Sequence, residues 1–378
     1  MKGRFAIRGC SQSTKNEEII DSSSSVCGLL SLPDEVALNC MAQVSRLDLA
    51  AVAMASKRHR SLVVSPELWD VRCRMGSMEA SLYVLMQIFP DPSPRWFILH
   101  PVQRRLKPVK SSLYADPETG SCFVVLDWGI CTIGGLKNGK PTPEVSFFDC
   151  FEHKVYLFPP MKMARCGASA SLIDKKIYVF GGCWDVADSS NWVEVFDFKT
   201  LTWDFLFVFT PKMPLNIQQS VVMIQDKEKE VYAVDEDGQH FSFSPSKCIL
   251  VPNGKTDSNP EYRNDWLSFG PYLLCRGIGG RILWCFPYQF DWKEVKGLEE
   301  LQQRCGCDDI IKLCFNSATT IAIFWKARPQ ALLELWYAKI SLEKRIEGDL
   351  WGEMEFSGPV LSDSSTCVNF LHAACVYG

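Results

Sequence analysis

Residues 163–203 read MARCGASASLIDKKIYVFGGCWDVADSSNWVEVFDFKTLTW, and the organisation of the whole chain follows from them. The uncharged run 168–173 meets a turn at Asp174-Lys175-Lys176, and Ile177-Tyr178-Val179-Phe180 then leads into Gly181-Gly182. Two short apolar runs around a polar turn predict a hairpin. A second pair of runs, 192–198 and 201–207, is separated by Lys199-Thr200. The stretch therefore predicts four short antiparallel strands. Three features sharpen the pattern: the glycine pair, the aromatic-Asp step at Phe196-Asp197, and Trp203. Glycines end a strand where the backbone must turn tightly or approach a neighbour closely. A tryptophan supplies a large ring to fill the wedge between two sheets.

Worn copies of the unit recur on both sides. Gly134-Gly135, Phe148-Asp149 and Tyr156 repeat its marks upstream. Downstream, Val231-Tyr232-Ala233-Val234 aligns on the second strand, with Asp235-Glu236 in place of the glycines. Ile282-Leu283-Trp284-Cys285 is aligned in the same way, with Gly279-Gly280 in the preceding turn and Phe290-Asp291-Trp292 after it. The last copy is Ile321-Ala322-Ile323-Phe324, with Leu335-Trp336-Tyr337-Ala338 as its third strand and Trp351 as its wedge. Five copies spaced by about 50 residues resemble a kelch-repeat β-propeller. A sixth blade is expected to be shared between 82–86 and 96–100 on one side and 367–376 on the other, which closes the ring and hides two free sheet edges. Another all-β propeller, or a sandwich, is the alternative that the strand pattern leaves open.

At 378 residues the chain has room for one large propeller and one small domain. A net charge of −4 argues against a nucleic-acid partner, which demands a concentrated basic face. The N-terminus lacks an apolar core of signal-peptide length, and no apolar run approaches the roughly 18 residues of a membrane span. A protein without membrane contact, in the cytoplasm or nucleus, is expected. The 17 cysteines are odd in number and scattered, and read as reduced packing residues.

Residues 1–28 mix charge with a serine run, show no hydrophobic period, and are expected to be disordered. A helix then opens at Leu32-Pro33-Asp34-Glu35-Val36, with Ser31 as cap and the two acids at the positive end of its dipole. A second helix is expected over 48–62, with Leu49, Val52, Ala53 and Ser56 on one face. Because Ala50, Ala51, Met54 and Ala55 fill the others, it is expected to be buried all round. Ser65-Pro66-Glu67 starts a third, carrying Leu68, Trp69, Val71 and Met75. Lys57-Arg58-His59-Arg60 reads as a solvated cluster near a helix end. Three helices in so short a stretch are too few to cover their own apolar surface, so a partner is expected to cover the rest.

The stretch LSLPDEVALNCMAQVSRLDLAAVAMASKRHRSLVVSPELWDVR resembles an F-box, through Leu32-Pro33-Asp34, the step Ser56, Lys57, Arg58 and Arg60, and the closing Ser65-Pro66-Glu67-Leu68-Trp69. His59 departs from it, standing where plant members place an aromatic. With the repeats, the resemblance is to plant F-box/kelch-repeat proteins. It implies a small all-α F-box over 29–78 followed by an all-β kelch propeller of six blades over 79–378. It further implies a non-catalytic substrate-recognition subunit of an SCF-type cullin-RING E3 ubiquitin ligase. Leu32, Pro33, Val36, Leu49, Val52, Leu68 and Trp69 would then hold the Skp-family adaptor, and through it a cullin. Each of these has a core role as its alternative. The propeller would bind a protein target, with Trp184 and Asp185, in the polar loop 183–191, as the expected contacts and 136–143 as the corresponding loop one blade earlier.

Catalytic constellations are not found. The five histidines are far apart in sequence, and Cys305, Cys307 and Cys314 lack the second cysteine pair of a zinc ribbon. Gly277-Ile278-Gly279-Gly280 lacks the Lys-Ser/Thr of a phosphate loop, and Asp235–Gly238 lacks calcium-loop spacing. No cofactor and no metal are therefore expected. A metal-dependent kelch enzyme and a non-ligase interaction scaffold are the alternative functions.

Overall fold

The computed structural model describes residue 28 and residues 31–109, 119–183, 191–209, 216–225, 228–256, 263–305, 310–327, 333–345, 348–363 and 367–378. Nearly all of the N-terminal segment expected to be disordered lies outside these residues. The chain divides into two units, one running to Glu79 and including Gly378, the other Ala80–Tyr377.

The first unit holds four helices: α1 (Asp34–Met41), α2 (Arg46–Ala55), α3 (Lys57–Val63) and α4 (Pro66–Met75). The single helix expected over 48–62 is broken at Ser56, whose extended backbone and side chain, accepting from His59 N, start a new helix. Serine competes for backbone groups in this way, and so favours caps over helix interiors. Ser31 does not cap α1. Its hydroxyl donates to Gly28 O, and Pro33 occupies the cap position.

The second unit is a ring of six four-stranded antiparallel sheets. Blade two is β4 (Cys122–Leu126), β5 (Gly129–Ile133), β8 (Val145–Asp149) and β9 (Lys154–Phe158), with the small hairpin β6 (Leu136–Lys137) and β7 (Lys140–Pro141) rising between its second and third strands. Blade three, the reference unit, is β10 (Ser169–Ile173), β11 (Lys176–Phe180), β12 (Val193–Asp197) and β13 (Thr202–Leu206). Blade four is β14 (Ile217–Gln225), β15 (Glu228–Asp235), β16 (Gln239–Ser244) and β17 (Ile249–Thr256). Blade five is β18 (Asn264–Phe269), β19 (Tyr272–Arg276), β20 (Ile282–Cys285) and β21 (Lys293–Glu294). Blade six is β22 (Ile310–Phe315), β23 (Thr320–Ala327), β24 (Leu333–Lys344) and β25 (Leu350–Asp363).

Blade one is composite, as expected. The order is β26 (Val368–Tyr377), β1 (Ala80–Ile88), β2 (Asp91–Leu99) and β3 (Leu106–Pro108), so the last strand of the chain takes the first position of the sheet. Of the run 81–89, all but Phe89 lies in strand β1; the proline-rich segment after it turns at Phe89-Pro90 and is already β2 from Asp91. First strands touch in the cycle β4, β10, β14, β18, β22, β26 and back to β4, so the ring is closed.

One copy is out of register with the expectation. Ile282–Cys285 is the third strand of blade five, not the second, which is Tyr272–Arg276. Second strands thus begin at residues 129, 176, 228, 272 and 320 in blades two to six. The glycines of 277–280 then follow the second strand, as Gly181-Gly182 do. Helix α5 (Glu299–Cys305), between blades five and six, buries Leu301 completely and was not anticipated.

The recurring marks of the repeat have physical causes. A Cβ on Gly182 would fall 2.6 Å from Ala168 N, and one on Gly134 2.5 Å from Arg165 O, so side chains are excluded by backbone. The Asp174-Lys175 turn takes positive φ at both residues, 47° and 64°, which matches the twist of a hairpin. Trp203 lies in the cluster joining blade three, through Ile177 and Val179, to blade two, through Ile133 and Phe147. Its Nε1 donates to Pro159 O at 2.8 Å. It is the wedge expected. Trp351 serves blade six more loosely, half-buried against Gly297 with the Arg345 guanidinium 3.9 Å from its ring.

Near the axis, blades four to six are stitched by polar groups. Asp265 of β18 accepts from Lys312 Nζ at 2.5 Å and Leu313 N at 3.0 Å in blade six, and from Arg276 Nε at 2.7 Å in its own blade. Its amide donates to Gln219 Oε1 of blade four. Burial raises the Asp265 pKa, but Lys312 and Arg276 outweigh it and hold the carboxyl below its usual value of 3.8.

Trp203→Ala is expected to cost about 3–5 kcal/mol of propeller stability in urea unfolding, the usual range for a buried aromatic. Asp265→Ala is expected to cost about 3–5 kcal/mol at neutral pH, because two cations lose their partner. The folded Asp265 pKa lies below the unfolded one. Its stabilisation is therefore complete above the unfolded value and is lost as pH falls through the folded one. An acid titration of the urea midpoint should show this limb in the parent chain and a flatter one in Asp265→Ala.

Candidate docking surface of the helical unit

Short helices owe their stability to packing rather than to intrinsic propensity. Here the ends are secured by side chains: Ser45 accepts from Asp48 N, Ser56 from His59 N and Ser65 from Leu68 N. Gly76 closes α4 in the left-handed conformation that favours glycine. Ala37, Leu38, Met41, Ala42, Leu49, Leu62, Leu68 and Val71 form the core. Arg72, fully buried on α4, donates to the carbonyls of Val44 and Ser77 at 2.7 Å each and pairs with Glu79 at 3.3 Å.

The two motifs that carry the sequence resemblance meet in space. Arg58 Nη2 reaches Asp34 Oδ1 at 2.6 Å and also donates to Leu32 O, so the Ser-Lys-Arg step holds the Leu-Pro-Asp start. The basic cluster opens α3 rather than closing a helix. Arg60 Nε nevertheless donates to Ala53 O at 3.3 Å, in the last turn of α2, where positive charge suits the dipole. His59 is buried in the unit, and neither ring nitrogen has a hydrogen-bond partner among the described residues.

The seven expected adaptor contacts separate into three groups. Leu49 is 5% and Leu68 2% exposed, and both belong to the core. Pro33 is exposed and Val36 is 44% exposed, one turn apart at the start of α1. Leu32, Val52 and Trp69 are half-buried.

Sequence reasoning missed a further group. Leu47, Ala50, Ala51 and Met54 of α2 are all exposed, Met54 by 80%. Their spacing of i, i+3, i+4 and i+7 places them on one helix face, opposite the face that carries Leu49. The helix expected to be buried all round is buried on one side only. The stripe was present in the sequence as periodicity, hidden by equally apolar residues between.

Trp184 and Asp185, the expected target contacts, lie outside the described residues. The stems of their loop are described: Arg165, fully buried and paired with Glu194 at 3.1 Å, donates to the carbonyls of Gly181, Asn191 and Trp192. Leu136 and Pro141 of the corresponding loop pair in the β6–β7 hairpin. Among the described residues no three His, Cys, Asp or Glu side chains gather to hold a metal, and Cys307 is not described. Every described cysteine is a free thiol, and burial pushes the Cys122 pKa up to about 12, which leaves it an unreactive packing group. No described helix is long and apolar enough to cross a membrane.

A helical unit with an apolar face left open, followed by a closed ring of six blades, defines a two-part protein with an F-box-like head and a kelch-like propeller. Residues 29–71 match the F-box domain, and residues 96–361 match the family described as FKB95, Kelch-repeats domain. Three Arabidopsis thaliana proteins are similar over most of their length. The putative F-box/kelch-repeat protein At5g03000 is 32% identical over 100% of this chain and 96% of its own. The putative F-box/kelch-repeat protein At3g46050 is 29% identical over 92% of this chain and 93% of its own, and the F-box/kelch-repeat protein At4g39590 30% identical over 89% and 87%. The chain belongs to the plant F-box/kelch-repeat proteins.

Leu68→Ala is expected to cost the helical unit about 2–5 kcal/mol, whereas Val36→Ala should change its stability by less than about 0.5 kcal/mol. Hydrogen exchange of the α1 and α4 amides in the full chain distinguishes them.

Proposed function

We propose that the chain is the substrate-recognition subunit of an SCF-type cullin-RING E3 ubiquitin ligase, without a catalytic group of its own. The observation that carries this reading is the open apolar face of α2, Leu47, Ala50, Ala51 and Met54, in a unit that belongs to the F-box family. Burying each large apolar side chain in a partner contributes roughly 1.5–3 kcal/mol, enough for a few anchors to offset the cost of association. Pro33 and Val36, flanked by half-buried Leu32, Val52 and Trp69, extend the docking set for a Skp-family adaptor and, through it, a cullin. The propeller then holds a protein target near a charged conjugating enzyme. Such catalysis works by proximity and asks nothing reactive of the receptor. Trp184 and Asp185, on a loop whose stems Arg165 clamps, are the proposed target contacts.

The test is capture of a purified Skp-family adaptor by the full chain. Val36→Glu and Met54→Glu, both at exposed positions, should each lower adaptor affinity by about tenfold or more, since 1.4 kcal/mol corresponds to a factor of ten. Their thermal unfolding should match that of the parent. Folded parent protein that ignores the adaptor at micromolar concentration would end this reading.

A further inference from the structure

Within the propeller, a cleft of about 250 Å³ opens between blades one and six, slightly below the usual size range of small-molecule sites. Its lining is mixed, with Leu82 and Leu99 of blade one and Phe356 of blade six supplying the apolar part. Tyr337, almost fully buried, lines it as well and donates its hydroxyl to Asn316 Oδ1 at 2.9 Å. Burial raises the pKa of that hydroxyl, so it keeps its proton.

The rim is cationic. Arg104, in the loop between β2 and β3, takes φ 51°, a conformation uncommon outside glycine and one that marks functional positions when the surroundings enforce it. They do so here: Arg104 N donates to His100 O at 2.8 Å, His100 N to Arg105 O at 2.9 Å and Gln103 N to His100 Nδ1 at 3.1 Å. The loop holds the guanidinium carbon 4.0 Å from the centre of the Phe356 ring. Among the described residues no acceptor takes a hydrogen bond from its side chain, so the fork of donors is unspent. His100, whose Nδ1 accepts from Gln103 N, also lines the cleft. Lys339 adds positive charge and is partly neutralised by Glu355 at 2.7 Å.

We propose that this cleft binds a small organic carboxylate with an aromatic body, an arylalkanoate, its carboxylate forked by Arg104 and its ring against Leu82, Leu99 and Phe356. Planar forked recognition suits arginine and a carboxylate. Glu355, in the lining, disfavours a multiply charged phosphate. The site is independent of the adaptor surface, and its occupancy does not depend on the ligase reading.

Isothermal titration of the full chain with 3-phenylpropionate tests the proposal, with 3-phenylpropionamide and inorganic phosphate as companions. The acid should bind saturably, and the amide and phosphate at least about tenfold more weakly. Arg104→Gln, at an exposed position, should weaken the acid about tenfold or more. Glu355→Gln should tighten it, because Lys339 is freed to face the ligand. Should Arg104→Gln fail to fold, the acid–amide comparison and Glu355→Gln decide without it. No binding of the acid at millimolar concentration, equal binding of acid and amide, or no tightening in Glu355→Gln overturns the proposal.

Discussion

The propeller depends on one ladder. β26 pairs antiparallel with β1 from Ala80 opposite Tyr377 to Ile88 opposite Val368, joining strands that lie at opposite ends of the unit's sequence. A ring of sheets with that ladder absent would expose a bare edge on β1 and leave β22 and β4 without the first strand that lies between them. The pairing also buries Leu82, Val84 and Met86 on one face with blade six, and Tyr83 and Leu85 on the other with blade two. A single strand thus supplies hydrogen bonds along its length and apolar contacts on both sides.

The same joint shows how polar and aromatic groups share the axis. His372 of β26 stacks on Phe123 of β4, with ring centres 4.2 Å apart and planes 13° from parallel. Burial, assisted by the nearby Lys312 charge, pushes the His372 pKa down to about 3, so the ring is neutral wherever the protein works and packs as a flat aromatic. Across blades four to six, Asp265 performs the joining with charge and hydrogen bonds. Apolar filler between blade faces sets their distance, whereas directional groups near the axis set register. Without partners those groups would be costly, because a buried polar atom left unpaired loses its hydration and gains nothing.

What the sequence disclosed follows from which signals are local. The reference blade was legible because alternation, a two-residue turn at Asp174-Lys175 and the Gly181-Gly182 pair all act within a few residues. The closing blade was legible through counting, since five copies leave one sheet to be completed. Blade five was misregistered because Ile282-Leu283-Trp284-Cys285 and Tyr272-Leu273-Leu274-Cys275 are equally apolar; their order in the sheet is fixed by neighbours, not by composition. The break at Ser56 was missed because a serine within an apolar run reads as helical until its side chain is seen to cap. The exposed apolar stripe of α2 was missed for a related reason. A helix rich in apolar residues on every side was taken as enclosed, when the unit has too few elements to enclose it. Leu49 and Leu68 show what a resemblance does not carry: it transfers residues, whereas their burial becomes visible only in the folded unit.

Closing the ring removes the inner edges and leaves the outer ones. A fourth strand with an unpaired side is a template for aggregation, and several here are blunted. β21 is two residues long, and β3 is three and ends in Pro108. β25, the longest, is interrupted by register shifts near Pro359 and Met354 and carries Glu353 and Glu355. The edge of β17 is partly occupied: Phe209 pairs in parallel with Ile249, donating to Cys248 O at 3.0 Å and accepting from Leu250 N at 3.1 Å. Phe209 presents its ring to solvent in doing so, as does Phe207. Those exposed rings follow from covering an edge with the strand connection that was at hand. The side chains not already committed to keeping sheets apart are therefore those of the connections between strands and of the clefts between blades.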